Sequence, residues 1–425
     1  MTMQPINDAY DVVIVGARCA GAATAMLLAA LGLRVLVVDK SRFGADTLST
    51  HALMRPAVLL LRRWGITDRL DEAATPRIRK TSFIYSDEHV SEAIDIDIKE
   101  RHGVDALYAP RRTVLDPALV SAARERGADV RHGVQLLELV RQKGGRVSGV
   151  VVEDERGTRR VVRAGLVVGA DGRRSTVARL VGAAPYVVGR HATSCAFGYF
   201  DDLPVDGNRW YFRPGMGSGA IPTNHGQTLV FASLPASLTG NGPDARARAF
   251  HTVVAESAPD IGARLPYARL EGRLRYFPGM PGFVRQAYGS GWALVGDAGY
   301  MTDPITAHGI TNALRDADIL ARTIAEGGSL ACYQAARDDL SMRFFELSDR
   351  VASLDWGTAT VREYHRMMSQ EMNREEESIH TQDPIPDPRF EDSMPRWSVG
   401  PSLAASTSAV ARTSASGSDR ADISV

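Results

Sequence analysis

The 425 residues contain 50 Lys and Arg against 50 Asp and Glu, so the formal net charge at pH 7 is +0. This balance gives no reason to expect nucleic acid or an anionic membrane as a partner. The hydrophobic share of 44% is ordinary for a globular enzyme, and the length allows a large core.

Three isolated cysteines, Cys19, Cys195 and Cys332, form no CxxC pair, so we predict neither a metal site nor a disulfide framework. The longest apolar run, residues 22–33, is too short to span a bilayer. The N-terminal residues lack the basic start and apolar core of a signal peptide. We therefore expect a cytoplasmic protein without a membrane span.

The start of the chain predicts a βαβ unit. A short β-branched run indicates a buried strand over residues 10–15, and an Ala- and Leu-rich segment indicates a helix over 20–31. A second buried strand follows at 35–38, with Asp39 at its end. Such a unit implies a parallel sheet with a right-handed crossover.

Two helices and a set of short strands are predicted next. One helix covers residues 56–64, and another begins with Asp116 as N-cap and Pro117 as first residue. A small antiparallel meander is expected before a buried strand at 166–168, formed by segments 130–132, 135–141, 147–152 and 159–162.

Beyond residue 186 the helical periodicity weakens. Short strands such as 209–213 and 228–234, punctuated by Gly, Pro and aromatic residues, predict an antiparallel sheet. Parallel-sheet signals return with a strand at 292–295 and a helix over 310–324, and residues 331–368 have helical spacing.

The predicted fold class is therefore α/β. A Rossmann-like nucleotide domain is discontinuous in sequence, and it carries an inserted antiparallel-sheet substrate domain and C-terminal helices. The predicted boundaries are 1–80, 101–185 and 286–330 for the nucleotide domain, 81–100 and 186–285 for the substrate domain, 331–382 for the C-terminal helices, and 383–425 for a disordered tail rich in Pro, Ser, Ala and Thr.

The first chemical motif is the loop between the first strand and the first helix, 16–21. Gly16 allows a tight turn, Gly21 lets helix and strand approach closely, and the helix N-terminus offers N–H groups to a pyrophosphate. Asp39 is placed to accept from ribose hydroxyls. Arg18 stands where the fingerprint has its second glycine, so its side chain either crowds the phosphates or turns outward and contacts one.

The second motif, 169–175, follows a strand and opens a helix. It contains Asp171 and Gly172, and the alternative is a plain turn in which Asp171 caps the helix. In the third, 292–310, a buried strand delivers Asp297 to a loop, and Gly309 starts a helix. Asp297 can accept from a sugar-alcohol chain, and the helix N-terminus stabilises negative charge on a bound ring.

Taken together, the three motifs resemble the FAD-binding fingerprints of the single-component, class A flavoprotein monooxygenases typified by aromatic-acid hydroxylases. That family is related to geranylgeranyl reductases and flavin-dependent halogenases, and the similarity covers about residues 10 to 350. The resemblance implies that FAD is held by Gly16, Ala17, Arg18, Ala20, Gly21, Asp39, Lys40, Arg112, Asp171, Gly172, Gly296, Asp297, Pro304, Ala307, His308, Gly309 and Ile310.

Some positions depart from the family pattern or allow two assignments. Arg112 matches a family arginine near the middle of FAD, and Arg111 competes for that assignment. The usual Pro-x-x-Gly-x-Gly reads Pro-Ile-Thr-Ala-His-Gly over 304–309, which brings the imidazole of His308 close to the expected flavin ring.

The resemblance implies a reaction in which NADH or NADPH reduces FAD, O₂ adds at flavin C4a, and one peroxide oxygen hydroxylates or epoxidises a small organic substrate, by family habit aromatic or polyketide-like. The alternative is an FAD-dependent reductase of the geranylgeranyl type, because residues 304–310 also resemble that branch. Only one GxGxxG-like unit occurs, which suits a nicotinamide that visits transiently. The oligomeric state is left open.

Two histidines are candidate catalytic residues. His51 lies in a loop that runs near the flavin ring in this family, and the alternative is a histidine that caps the following helix. His308 is a candidate general base or flavin partner, and the alternative is a loop residue turned to solvent.

Overall fold

A computed structural model describes residues 6–385. The helices in this part of the chain are α1 (Cys19–Ala30), α2 (Arg55–Arg63), α3 (Thr67–Glu72), α4 (Arg112–Glu125), α5 (Thr176–Val181), α6 (Pro243–Ser257), α7 (Pro259–Gly262), α8 (Gly309–Ala325), α9 (Leu330–Ala352) and α10 (Thr358–His380). The strands are β1 (Ala9–Val15), β2 (Val35–Asp39), β3 (Lys80–Ser86), β4 (Ser91–Asp97), β5 (Asp129–His132), β6 (Val134–Arg141), β7 (Val147–Asp154), β8 (Arg159–Gly169), β9 (Pro185–Val188), β10 (Thr193–Asp201), β11 (Asn208–Arg213), β12 (Met216–Pro222), β13 (Thr228–Pro235), β14 (Arg269–Leu270), β15 (Arg275–Phe277), β16 (Phe283–Arg285), β17 (Tyr288–Gly289), β18 (Trp292–Leu294) and β19 (Tyr300–Met301).

A parallel sheet forms the centre of the fold. Strand β1 pairs in parallel with β2 on one side and β8 on the other, β5 lies beyond β2, and β18 lies beyond β8. The predicted βαβ unit is confirmed, because α1 connects the parallel neighbours β1 and β2. The mixed α/β fold class is confirmed as well.

Both faces of this sheet are buried. Val12 and Ile14 of β1 pack into the core cluster that includes α1, α4 and α8. Val13 and Val15 point to the opposite face, where they join a separate cluster with β6, β7 and α5. A strand covered on both faces has a continuous apolar sequence, which explains the uninterrupted β-branched run in β1.

The second large sheet has the strand order β14-β10-β13-β12-β11-β3-β4, and β15 also pairs with β10. Its pairs are antiparallel except β11 with β3. Helix α6 covers one face through Phe250 and Val254. Strands β9, β16 and β19 form a small third sheet. The proposed domain boundaries stay a prediction.

The predicted meander is partly wrong. Strand β5 pairs in parallel with β2, so it belongs to the central sheet. The segments 159–162 and 166–168 form one strand, β8. Its exposed first half pairs with β7 and its buried second half pairs with β1, so the polarity changes along one strand. The antiparallel pairing of β6, β7 and β8 is as expected.

Two helix predictions also need correction. Helix α4 begins at Arg112, and Asp116 and Pro117 lie inside it. Asp116 does not cap the helix, because its carboxylate accepts from the Arg112 guanidinium one turn earlier, at 2.8 to 3.0 Å. The helical stretch predicted at 331–368 is two helices, α9 and α10, separated at 353–357.

The predicted disordered tail lies outside the described residues from position 386 onward. Between residues 6 and 385, no helix combines the length and low polarity that crossing a bilayer requires.

Candidate functional site

A cavity of about 550 Å³ lies at the carboxyl ends of the central parallel strands. Loops after parallel strands meet at one edge of a sheet, which is where such folds bind ligands. The sequence-predicted residues that line it are Gly16, Arg18, Ala20, Asp39, Lys40, His51, Arg112, Asp171, Gly172, Asp297, Pro304, Ala307, Gly309 and Ile310. Four predicted residues, Ala17, Gly21, Gly296 and His308, adjoin these positions without lining the cavity.

Close backbone approaches shape the first turn. Gly16 has φ +107°, and a Cβ there would lie 2.4 Å from the carbonyl oxygen of Ala170. A Cβ at Gly21 would lie 1.8 Å from the carbonyl oxygen of Gly16. Both positions therefore require glycine, and the turn after β1 sits directly against the turn after β8.

Asp39 organises the nucleotide side of the same turn. Its two carboxylate oxygens accept hydrogen bonds from the backbone N–H groups of Ala17 and Ser41, each at 2.7 Å. The side chain of Arg18 lines the cavity and donates to the hydroxyl of Thr47. Thus Arg18 stays at the cavity wall, where a guanidinium can contact a phosphate.

The second turn combines a helix cap with a cavity wall. The carboxylate of Asp171 accepts from the backbone N–H of Thr176 at 2.6 Å and of Val177 at 3.3 Å, and from the Ser175 hydroxyl. Asp171 therefore bonds to the start of α5, whose N-cap is Ser175, and it also lines the cavity, so a helix-capping role and a ligand-binding role are compatible. Burial raises the pKa of Asp171. Gly172, with φ +79°, lines the cavity beside this cap.

At the third turn a free carboxylate faces the cavity. Asp297 follows β18 and accepts no hydrogen bond from any residue between 6 and 385. Burial raises the pKa of Asp297 to about 6, although the charges of Arg173 and Arg112 oppose this shift. An unused acceptor at a cavity wall suits the hydroxyl groups of a sugar-like chain.

The 303–309 loop brings the N-terminus of α8 to the cavity. The Asp303 carboxylate accepts from the backbone N–H of Thr193 at 2.8 Å and of Ile305 at 3.0 Å, which fixes the loop against β10. Ala307 has φ +52°, and α8 begins at Gly309. The unpaired N–H groups of the first helical turn therefore lie at the cavity, where negative charge is favoured.

His308 does not face the cavity, in contrast to our expectation. Its side chain is buried and its Nε2 lies 2.8 Å from the Glu375 carboxylate on α10. Its ring packs 4.3 Å from the ring of Phe344. The imidazole points into the helical layer because the backbone reverses at Ala307, so neither a general base nor a solvent-facing loop residue describes it.

His51 does line the cavity. Its φ is +44°, its side chain is 1% exposed, and neither ring nitrogen has a hydrogen-bond partner. Its ring stacks on Tyr199 at 5.5 Å with 9° between the planes. The N-cap of α2 is Met54, so the helix-capping alternative for His51 is wrong. A buried histidine with two free nitrogens is an orphaned polar group that calls for a ligand.

Of the two candidate arginines, Arg112 lines the cavity and Arg111 does not. Arg111 donates to Gln227 and Glu271, both at 2.8 Å, and its guanidinium lies 3.6 Å from the Tyr199 ring centroid. It therefore packs against the same Tyr199 ring that stacks with His51.

Sequence reasoning missed a group of cavity residues that come from the second and third sheets. These residues, which we call the apolar chamber, are Cys195, Phe197, Phe277 and Met301. Arg173 and Arg174 were also missed, although they directly follow Gly172. By contrast, Trp210, Tyr211, Arg213 and His225, considered as substrate contacts from their place on predicted strands, do not line the cavity.

The chamber residues carry no local motif, since apolar side chains on strands usually belong to the core. Burial raises the pKa of Cys195 to about 12, so its thiol keeps its proton at neutral pH. Only the pairing of β10 with β15, and their approach to the loop that carries His51, brings these side chains together.

The residues present fit FAD. Among the described residues, five cationic side chains line this cavity, which matches a diphosphate: Arg18, Lys40, Arg112, Arg173 and Arg174. Asp39 and Asp297 offer acceptors for hydroxyl groups. Gly16 and Gly21 carry no side chain, so the first turn lets a diphosphate approach its backbone closely. His51 and the apolar chamber leave a mainly uncharged surface for a flat ring.

Comparison with known proteins also indicates that the chain binds FAD. A family model described as an FAD binding domain matches residues 9–340. A menaquinone reductase of Mycolicibacterium smegmatis is 27% identical over 346 residues, which are 76% of this chain and 78% of that protein. A digeranylgeranylglycerophospholipid reductase of Methanococcoides burtonii is 25% identical over 362 residues, which are 80% of this chain and 79% of that protein.

Solved structures share the fold. A flavin-dependent brominase has a TM-score of 0.72 at 19% identity, covering 88% of this chain and 93% of that one. Aklavinone-11 hydroxylase, solved with FAD and aklavinone, has a TM-score of 0.66 at 20% identity, covering 84% of this chain and 71% of that one. The expected relationship to hydroxylases, reductases and halogenases is confirmed. The match over residues 9–340 shows that this chain belongs to the FAD binding domain family and is an FAD-dependent oxidoreductase.

Proposed function

We propose that the protein is an FAD-dependent monooxygenase that uses NADH or NADPH and O₂ to hydroxylate or epoxidise a small aromatic or polyketide-like molecule. The observation that carries the proposal is the apolar chamber beside His51 at the cavity wall. Oxygen transfer requires a substrate held in a water-poor space, because water diverts reactive oxygen species to unproductive decay.

Bound FAD supplies the redox chemistry, accepting a hydride from the nicotinamide and activating O₂. The protein supplies binding and orientation. Phe197 and Phe277 provide ring faces and edges against which a flat aromatic substrate packs. His51 lines the cavity and both of its ring nitrogens lack a hydrogen-bond partner, so we assign it to a substrate hydroxyl or carbonyl.

The nicotinamide assignment rests on the single dinucleotide fingerprint at 16–21. Because the 16–21 turn is assigned to FAD, NADH or NADPH binds only transiently at another part of the surface, or a separate reductase supplies the electrons. Arg174 is exposed at the cavity rim and is the cation we assign to a visiting nucleotide phosphate.

A second candidate is FAD-dependent reduction of a carbon–carbon double bond, of the geranylgeranyl reductase type. The reductase names of the sequence relatives favour it. The same apolar chamber would accept an isoprenoid chain in place of an aromatic ring.

Oxygen uptake separates the two candidates. The holoenzyme is mixed with NADH or NADPH in air, with and without members of a phenolic and polyketide panel, while flavin absorbance and dissolved O₂ are recorded. The monooxygenase predicts substrate-accelerated oxidation of the nicotinamide, with one ¹⁸O atom from labelled O₂ in the product.

The opposite result is equally clear. If the reduced enzyme transfers no oxygen to any panel member, and the anaerobic enzyme instead saturates an isoprenoid double bond, the reductase assignment replaces the monooxygenase. His51→Ala and His225→Ala make a matched pair for either assay, since His51 lines the cavity and His225 is exposed on a turn that does not line it.

A further inference from the structure

A buried carboxylate on α10 contacts the loop that carries the N-terminus of α8. Glu375 is 3% exposed, and its Oε2 lies 2.8 Å from Nε2 of His308. His308 is flanked by Ala307 and Gly309, both of which line the cavity. The contact between Glu375 of α10 and His308 therefore restrains a backbone segment that forms part of the cavity wall.

The same carboxylate reaches a second cavity turn through Arg315. Nη1 of Arg315 donates to Oε1 of Glu375 at 3.0 Å, and its Nη2 donates to Asp316 at 3.1 Å. Asp316 in turn accepts from the backbone N–H of Gly296 at 3.0 Å. Gly296 immediately precedes Asp297, the free carboxylate of the cavity.

These groups lie deep in the protein, so their charges are compensated by each other. Glu375, Arg315 and Asp316 are each at most 3% exposed. Burial alone raises the pKa of Glu375, but the charges of His308 and Arg315 outweigh it and hold that pKa below its ordinary value. Loss of one partner leaves the others buried without full compensation, which such networks tolerate poorly.

We propose that Glu375 is a positioning residue for FAD: it holds the 303–309 loop and the 296–298 turn at the spacing that the cofactor requires. Helix α10 thereby takes part in forming the site, although no residue of α10 lines the cavity. The consequence is that the environment of the flavin depends on a side chain that does not touch it.

The chain provides a matched control in the neighbouring residue. Glu376 is 1% exposed and lies on the same helix. Its Oε2 is 3.8 Å from Nε of Arg55 and 3.5 Å from Nη1 of Arg101, and neither arginine lines the cavity. Glu375→Gln and Glu376→Gln therefore remove the same charge from adjacent buried positions, and only the first touches the cavity turns.

The test compares both variants with the wild-type holoenzyme in FAD dissociation constant, visible flavin spectrum, flavin midpoint potential and Tm. We expect Glu375→Gln to raise the dissociation constant by about tenfold or more, as loss of a charged hydrogen bond implies, and to shift the spectrum and potential. For Glu376→Gln we expect a lower Tm with a dissociation constant within about twofold of wild type.

Equal FAD affinity, spectrum and potential in the two variants, whatever their Tm, would overturn the proposal. If Glu375→Gln does not fold, His308→Gln and His308→Phe replace it. His308→Gln keeps a donor toward Glu375 and should stay close to wild type, whereas His308→Phe fits beside Phe344 and should weaken FAD binding. These measurements need no substrate, so they are independent of whether oxygen transfer or reduction is the reaction.

Discussion

His51 combines three unusual properties in one residue. Its backbone has a positive φ, its ring nitrogens are without partners, and it is almost completely buried. Strain and unsatisfied polar atoms persist where function requires them. Burial, with smaller contributions from the charges of Arg112 and Arg111, lowers the pKa of His51 to about 3. At neutral pH the ring is therefore uncharged, so it serves a ligand as one donor and one acceptor.

Asp297 gives a prediction about pH at the scale of a single residue. Burial raises its pKa to about 6, so the folded apoprotein binds this proton more tightly than the unfolded chain. The resulting stabilisation is complete below the unfolded pKa of about 4 and is lost as pH rises through 6. Asp297→Asn should therefore raise the free energy of unfolding of the apoprotein at pH 8, by on the order of 1–2 kcal/mol.

The measurement is urea unfolding of both apoproteins between pH 4.5 and 8. The difference between variant and wild type should be nearly constant above about pH 7 and shrink as the pH falls from about 6 toward 4, because a protonated Asp297 resembles an asparagine. A difference that is constant over this range would show that Asp297 does not titrate as its burial indicates.

The turn between β1 and α1 gives a prediction at the scale of elements. Gly16→Ala places a Cβ 2.4 Å from the Ala170 carbonyl oxygen in a backbone with φ +107°, so the turns after β1 and β8 must separate. We expect loss of FAD binding and destabilisation on the order of 3 kcal/mol.

Gly127→Ala is the control, because Gly127 has φ +97° and nothing lies within 4 Å of its added Cβ, but it does not line the cavity. It should cost only about 1 kcal/mol and leave FAD affinity nearly unchanged. Fluorescence titration with FAD measures the FAD affinity, and urea unfolding measures the free energy of unfolding. Similar FAD affinities in the two variants would argue that the approach of the two turns does not form the site.

At the scale of the whole molecule, the cavity joins parts of the chain that are far apart in sequence. Its walls include the turns after β1, β8 and β18, and also strands β10 and β15 of the second sheet. A ligand that binds only the folded protein stabilises it by about 2.7 kcal/mol at a concentration one hundred times its dissociation constant. The Tm should therefore rise with FAD concentration.

ADP and riboflavin, each at the same concentration as FAD, test whether the whole cavity is used. Each fragment contacts only some of the turns, so each should raise Tm less than FAD does. The readout is thermal unfolding by circular dichroism of apoprotein with each ligand. A shift with ADP that equals the shift with FAD would mean that the flavin half makes no stabilising contact.

Local sequence patterns were enough to predict the parallel βαβ unit and many of the residues at the carboxyl edge of its sheet. Apolar periodicity identified β1, α1 and β2, and the glycines at 16 and 21 marked the close turn. These features are local, because strand and helix periods and turn geometry depend on neighbouring residues. The order of the three fingerprints then predicted the family and its FAD cofactor correctly.

The predictions were wrong where a local sequence pattern is compatible with two different structures. Asp116-Pro117 has the composition of a helix start, yet α4 begins at Arg112, and the Asp116 carboxylate pairs with that arginine one turn earlier in the same helix. In the same way, the position of His308 in its motif indicated the cavity, while the fold supplied Glu375, 67 residues later, as its partner.

The apolar side chains that line the cavity could not be identified before the fold was known. The apolar chamber joins β10, β15 and β19, and no spacing in the sequence marks those side chains apart from ordinary core residues. The physical reason is that backbone periodicity is set by neighbours along the chain, whereas a chamber wall is set by which strands pair and how sheets pack. The charge compensation that ties α10 to the cavity turns has the same origin.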